Sequence, residues 1–199
     1  MVNATPLRAT FLAGLTAAAT SGCSVDAAPE AVKADQASVM IRHQVDEARG
    51  RIWVLTRSGV FLIELTEPRP IRHVPLPGWT WAGKPFGCLP DIALGPNGEA
   101  LVSSDVVPTL WRVDPKTFVV SEHAVALDAD ADKDIGFSEL QYSAEQNVYI
   151  AVSALYGSVW RIDPLLARAQ KIAQAAPTAP VCRASATQRR TLPLEIPFR

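Results

Sequence analysis

Between residues 38 and 173, hydrophobic and polar positions alternate along much of the chain, and the alternating runs return at a nearly fixed interval. Three segments line up: DEARGRIWVLTRSGVFLIEL (46–65), LGPNGEALVSSDVVPTLWRVDP (94–115) and YSAEQNVYIAVSALYGSVWRIDP (142–164). Trp53, Leu101 and Tyr149 fall at successive intervals of 48, and the later aromatics Phe61, Trp111 and Trp160 follow at 50 and 49. Period-two alternation predicts strands. Each unit opens on a turn (Arg49-Gly50, Asn97-Gly98 or Gln146-Asn147), runs through a strand, and crosses a short polar connection into a second strand. In the second and third units that strand (LWRVD, VWRID) stops at Asp-Pro, where proline cannot continue a ladder. The stretches SVMIRHQV (38–45), PDIALG (90–95) and FSELQYS (137–143) supply one more strand per unit, and pieces such as SEHAVAL (121–127) a fourth. Four short antiparallel strands repeating at this interval describe a β-propeller blade.

The fold class expected is therefore all-β, a propeller of four-stranded antiparallel blades with three visible and the ring incomplete. The repeats occupy 38–88, 89–136 and 137–173. They are preceded by a linker (24–37) and followed by 174–199, an irregular tail or incomplete fourth blade. Three blades do not close a ring, since propellers use roughly four to eight. A longer original propeller, or two chains completing one ring as a homo-oligomer, would resolve this. An open three-sheet meander is the alternative architecture.

Composition adds limits. The chain of 199 residues is 48% hydrophobic and 20% charged, which is globular, and its 16 prolines and 11 glycines suit short elements with frequent turns. A net charge of −1 gives no electrostatic footprint for nucleic acid or an anionic membrane. At the N-terminus, Arg8 precedes an apolar, alanine-rich run from Ala9 to Ala19, then small residues and Cys23. That order is the plan of a secretory signal (1–23), and the apolar run is shorter than the roughly 20 residues of a membrane span. The SGC ending at Cys23 resembles a bacterial lipoprotein signal, which implies lipidation of Cys23 and a periplasmic or membrane-anchored product. Cleavage after Ala-Xaa-Ala at Ala17–Ala19 would instead release a soluble exported protein. Cys88 and Cys182 are then left to pair in an oxidising compartment or to stay as free thiols.

The form PNGEALVS…LWRVDP resembles the blade repeat of the NHL, SMP-30 (gluconolactonase-like) and quinoprotein-like propellers over residues 38 to about 173. Lactonases of the SMP-30 type place acidic and amide residues from several blades around one calcium ion. The amide position of that pattern falls here on Pro90 or Ser138, which departs from it.

Three candidate sites follow. A shift of 48 aligns His43, Asp91 and Glu139 on the first strand of each unit, where equivalent residues would ring a central channel and bind a polar ligand. In PGWTWAGKPFG (77–87), Trp79 and Trp81 share a face if the stretch is extended, for stacking on a ligand or for packing between blades. In DADADKDIGFSE (128–139), Asp128, Asp130, Asp132 and Asp134 could hold calcium. However, Lys133 stands where an EF-hand needs glycine and the flanks alternate as strands, so the stretch divides into a charged connection and the start of a blade. The function expected is an exported module that binds a small polar ligand or an envelope protein, with calcium as the one candidate cofactor and no catalysis of its own. It would meet a membrane only through a lipid anchor. The alternatives are a calcium-dependent lactonase-like or a quinoprotein-like enzyme, and a truncated fragment without function.

Overall fold

The computed structural model describes residues 39–66, 70–83, 88–128 and 136–173. Within them the chain is all-β. The first blade is a meander of β1 (Met40–Asp46), β2 (Arg51–Thr56), β3 (Gly59–Glu64) and β4 (Ile71–Val74). The second repeats it with β5 (Ile92–Leu94), β6 (Ala100–Ser103), β7 (Thr109–Val113) and β8 (Val120–Ala124). A two-residue strand, β9 (Ala126–Leu127), leads to the third blade: β10 (Phe137–Ser143), β11 (Val148–Ser153), β12 (Val159–Ile162) and β13 (Arg168–Ala173). Neighbours within each meander are antiparallel. The first strands lie side by side, β1 against β5 and β5 against β10, so the blades follow one another in chain order.

Local chemistry explains the repeat. The turn after each first strand needs a residue in the left-handed region, and Gly50 (φ 61°), Gly98 (φ 81°) and Asn147 (φ 51°) supply it. The Asp-Pro endings are carboxylate-organised turns. Asp114 Oδ1 accepts the N–H groups of Lys116 and Thr117 at 2.8 and 2.7 Å. Asp163 accepts those of Leu165 and Ala167 at 2.9 and 3.0 Å, and that of Arg168 as well. These aspartates satisfy amides that the turn would otherwise leave to water.

One predicted strand divides. SEHAVAL enters β8 but leaves it at Ala124, because Val125 turns into the core beneath Pro108 and donates its N–H to that carbonyl at 2.9 Å. Ala126 and Leu127 then pair in parallel with β13, which makes the third sheet five-stranded and ties the second blade's outer edge to the third's.

Each blade lays a forward face on the back face of the next. Trp53, Leu55, Val60 and Leu62 of the first blade pack with Ala100, Val102, Trp111 and Val113 of the second. Ala93, Leu101 and Leu110 pack with Tyr149, Ala151, Trp160 and Ile162 of the third. This assigns the faces and corrects the alignment by one residue. Trp53 and Leu101 point forward, whereas Tyr149 points back at the second blade, so Ile150 is their true equivalent. Strand side chains alternate, and a slip of one reverses every face.

Candidate functional site

The opposing residues of an antiparallel pair share a face. Arg42 opposes Leu55 and Glu139 opposes Val152, while Asp91 meets Ser103 through Asp91 N–H to Ser103 Oγ (2.8 Å) and Ser103 N–H to Asp91 O (2.9 Å). With the faces assigned as above, the equivalent forward-facing positions at the start of the three first strands are Arg42, Asp91 and Glu139. The first of these replaces the expected His43. His43 opposes Val54, which lies on the back face of the first blade with Ile52 and Ile63. Burial holds its imidazole below the ordinary value, and it stands on the other side of β1 from Arg42.

Two β-bulges produce this arrangement. The register slips between Met40 and Arg42 in β1 and between Phe137 and Glu139 in β10, so Ile41 and Ser138 are extra residues at matching positions. Pro90 occupies the matching position before β5. Bulges re-aim the neighbouring side chain, and no hydrophobic pattern reports them.

Asp91 is the centre of the row. It is 6% exposed, and its carboxylate accepts the N–H of Ile92 at Oδ1 and that of Leu140, on the third blade, at Oδ2, both at 2.9 Å. Arg42 Nε stands 3.7 Å from Oδ1. Burial pushes the Asp91 carboxyl up to about 6 against these stabilising contacts, and the charge of Glu139 adds to the rise. The same burial pulls the Arg42 guanidinium below its usual value, opposed by Asp91 and Glu139. Desolvation therefore outweighs pairing here, as it does where a charge is buried with an incomplete partner. Among the described residues, Arg42 Nε and Ser138 Oγ are buried without a hydrogen-bond partner. Arg42 supplies only donors and Ser138 a hydroxyl, so each keeps donor capacity that the described residues do not use.

The tryptophan stretch is bolted down beside this row. Trp79 Nε1 donates to the Ser103 carbonyl at 2.9 Å, and Asp105 accepts the N–H groups of Ala82 and Gly83 at 2.9 Å each. Trp79 also packs against the core between the first two blades. Its ring stacks on Trp81 at 5.7 Å, and the Arg57 guanidinium lies 5.9 Å from the Trp81 ring centroid. Tyr156, on the turn between β11 and β12, is 46% exposed at the same end of the blades.

The aspartate stretch is described only at Asp128. Its N–H donates to Ala169 O and its Oδ1 accepts from Lys171 N–H at 3.0 Å, extending the β9–β13 pairing at the outer edge. Asp130, Asp132 and Asp134 lie outside the described residues, as do Cys23 and Cys182. Among the described residues, no three His, Cys, Asp or Glu side chains converge as metal ligands. Cys88 is buried and disulfide-bonded.

Comparison with known proteins found no matching family model and no matching curated protein. Among solved structures, the chain is similar to virginiamycin B lyase from Staphylococcus aureus, at 16% identity and a TM-score of 0.46 over 65% of this chain and 39% of that one. A catalytically inactive form of that lyase with quinupristin gives 18% identity and a TM-score of 0.47, over 65% and 40%. The chain thus spans about two fifths of the length of those structures. The blade topology described above carries the propeller assignment, and this likeness bears on no activity.

Proposed function

We propose that the chain is a binding module of the propeller class, taking a small polar ligand at the Arg42–Asp91–Glu139 row. The supporting observation is the pair of matching bulges, which set Arg42 and Glu139 on either side of a buried carboxylate at the start of three adjacent first strands. A ligand oxygen would accept from Arg42 Nε and Ser138 Oγ. Glu139, which is half-buried, would accept from a ligand hydroxyl or amine. The row carries one positive and two negative groups at neutral pH, which disfavours an anion. The signal-like N-terminus supports placing this module outside the cytoplasm, in the cell envelope.

A thermal-shift screen of neutral hydroxylated, cationic and carboxylate small molecules tests the reading. A compound that stabilises the protein should lose at least about tenfold in affinity with Arg42→Ala or Glu139→Gln, the cost of one charge-assisted hydrogen bond. A ligand that bound both variants as tightly as the parent would rule the row out. The raised Asp91 carboxyl beside Glu139 favours a second reading, a hydrolase of the lactonase type, since environments that separate two carboxyls create acid and base roles. Lactone turnover abolished by Asp91→Asn, with the fold retained, would support it. No turnover with or without added calcium would dismiss it.

A further inference from the structure

Among the described residues, the third blade is covered on one side only. Both faces of β2 and of β6 are buried, whereas β11 alternates, with Tyr149, Ala151 and Ser153 buried and Val148, Ile150 and Val152 half-buried. The half-buried forward face carries Ile150, Val152 and Val159, with Val152 opposite Val159. These stand where Trp53, Leu55 and Val60 stand in the first blade and Leu101, Ser103 and Leu110 in the second. At the two internal joints that surface receives the back face of the next blade, whose first strand contributes Ile92 or Phe137 and Leu140. The same surface in the third blade is open to an occupant of the same kind.

Chain length and pattern favour one occupant. From the end of an outer strand to the next first strand the chain uses 17 residues (Val74 to Ile92) or 12 (Ala124 to Phe137). After Ala173, 18 residues precede Leu192, where the sequence reads LPLEIPF. Leu192, Leu194, Ile196 and Phe198 alternate there with Pro193, Glu195 and Pro197. In an extended chain this puts four apolar side chains on one face. It also puts both missing proline N–H groups on one edge, which suits an edge strand and excludes a central one.

We propose that residues 192–198 dock as an extended edge segment, with their apolar row against Ile150, Val152 and Val159, where a next blade's first strand would lie. Comparing the full chain with one ending at Thr191, which keeps Cys182, tests this. The shortened chain should melt at least about 4 °C lower and bind more of an apolar-surface dye. In the full chain, Ile196→Glu should reproduce both effects. Ile196 belongs to none of the strands described above, so its replacement removes no residue from them. Ile150→Glu combined with Ile196→Glu should lose little more than the worse single change, as contacting residues do. Equal melting and equal dye binding of the two chain lengths would overturn the proposal. So would a dimer that Ile150→Glu converts to monomer but the shortening leaves intact, since a second copy would then be the cover.

Discussion

Asp91 is a residue whose environment is readable as a pH dependence. Its folded carboxyl titrates at about 6, above the ordinary 3.8, so the folded state holds a proton that the unfolded chain has already released. Between those values the folded state binds more protons, and stability falls as pH rises. The full effect, about 3 kcal/mol at most from the size of the shift, is complete above pH 6 and absent below the unfolded value. Urea melts from pH 4 to 7 should show this decline, and Asp91→Asn should flatten it. Asp114 acts in the opposite sense and in a lower window. The amides of Thr117 and Lys116 hold its carboxyl below the ordinary value, so its contribution is lost only as pH falls beneath that range. A profile that stayed flat from 4 to 7 would mean that Asp91 is more hydrated than its burial indicates. At the neighbouring position, Trp79→Phe keeps the ring packing but leaves the Ser103 carbonyl without its 2.9 Å donor. That should cost about 1 kcal/mol in the same melts.

At the scale of elements, the joints between blades are where small changes should matter most. Gly136 precedes β10 and is pressed against the turn after β6. A β-carbon there would collide with Ser104 O and Asp105 C, both backbone atoms that cannot swing aside. Gly136→Ala should therefore destabilise by about 3 kcal/mol, the upper range of overpacking, while Gly50→Ala, with open space around its β-carbon, meets only the strain of its positive φ. A milder effect for Gly136→Ala in denaturant melts would show that the second and third blades can separate slightly. The sequence made the blades visible because period-two alternation, left-handed turn residues and Asp-Pro stops each leave a local signature. It could not make the faces visible, because the second strand repeats after 48 residues and then 49, and the first after 49 and then 48. Such drift is set by loop lengths and by bulges at Ile41 and Ser138, which have no composition of their own. Hence Asp91 and Glu139 were aligned correctly from spacing, while His43 stood in for Arg42 and Tyr149 for Ile150. Arg42 had one available clue, since an arginine flanked by Ile41 and an alternating strand must bury its stem.

Among the described residues, the three blades meet in chain order, the first against the second and the second against the third, so their stability approximates a sum of blades and joints. Two joints are filled by complete apolar clusters. A disulfide adds to these joints, and Cys88 is one end of it. It lies ahead of β5, buried to 2%, in a disulfide whose other cysteine is one of the two outside the described residues. Either partner closes a loop of more than 60 residues, since Cys23 lies 65 positions before it and Cys182 lies 94 after it. Closing loops that long restricts the unfolded chain enough to contribute about 2 to 4 kcal/mol. Disulfides form and persist mostly in oxidising compartments. If export removes or lipidates Cys23, Cys182 alone remains to Cys88. Protein purified after passage through an oxidising compartment should then yield no alkylatable thiol when unfolded without reductant, and reduction should lower its melting temperature by several degrees. Cys88→Ser should melt where the reduced parent melts. Two thiols alkylated before reduction would show that the stack is held by its apolar joints alone.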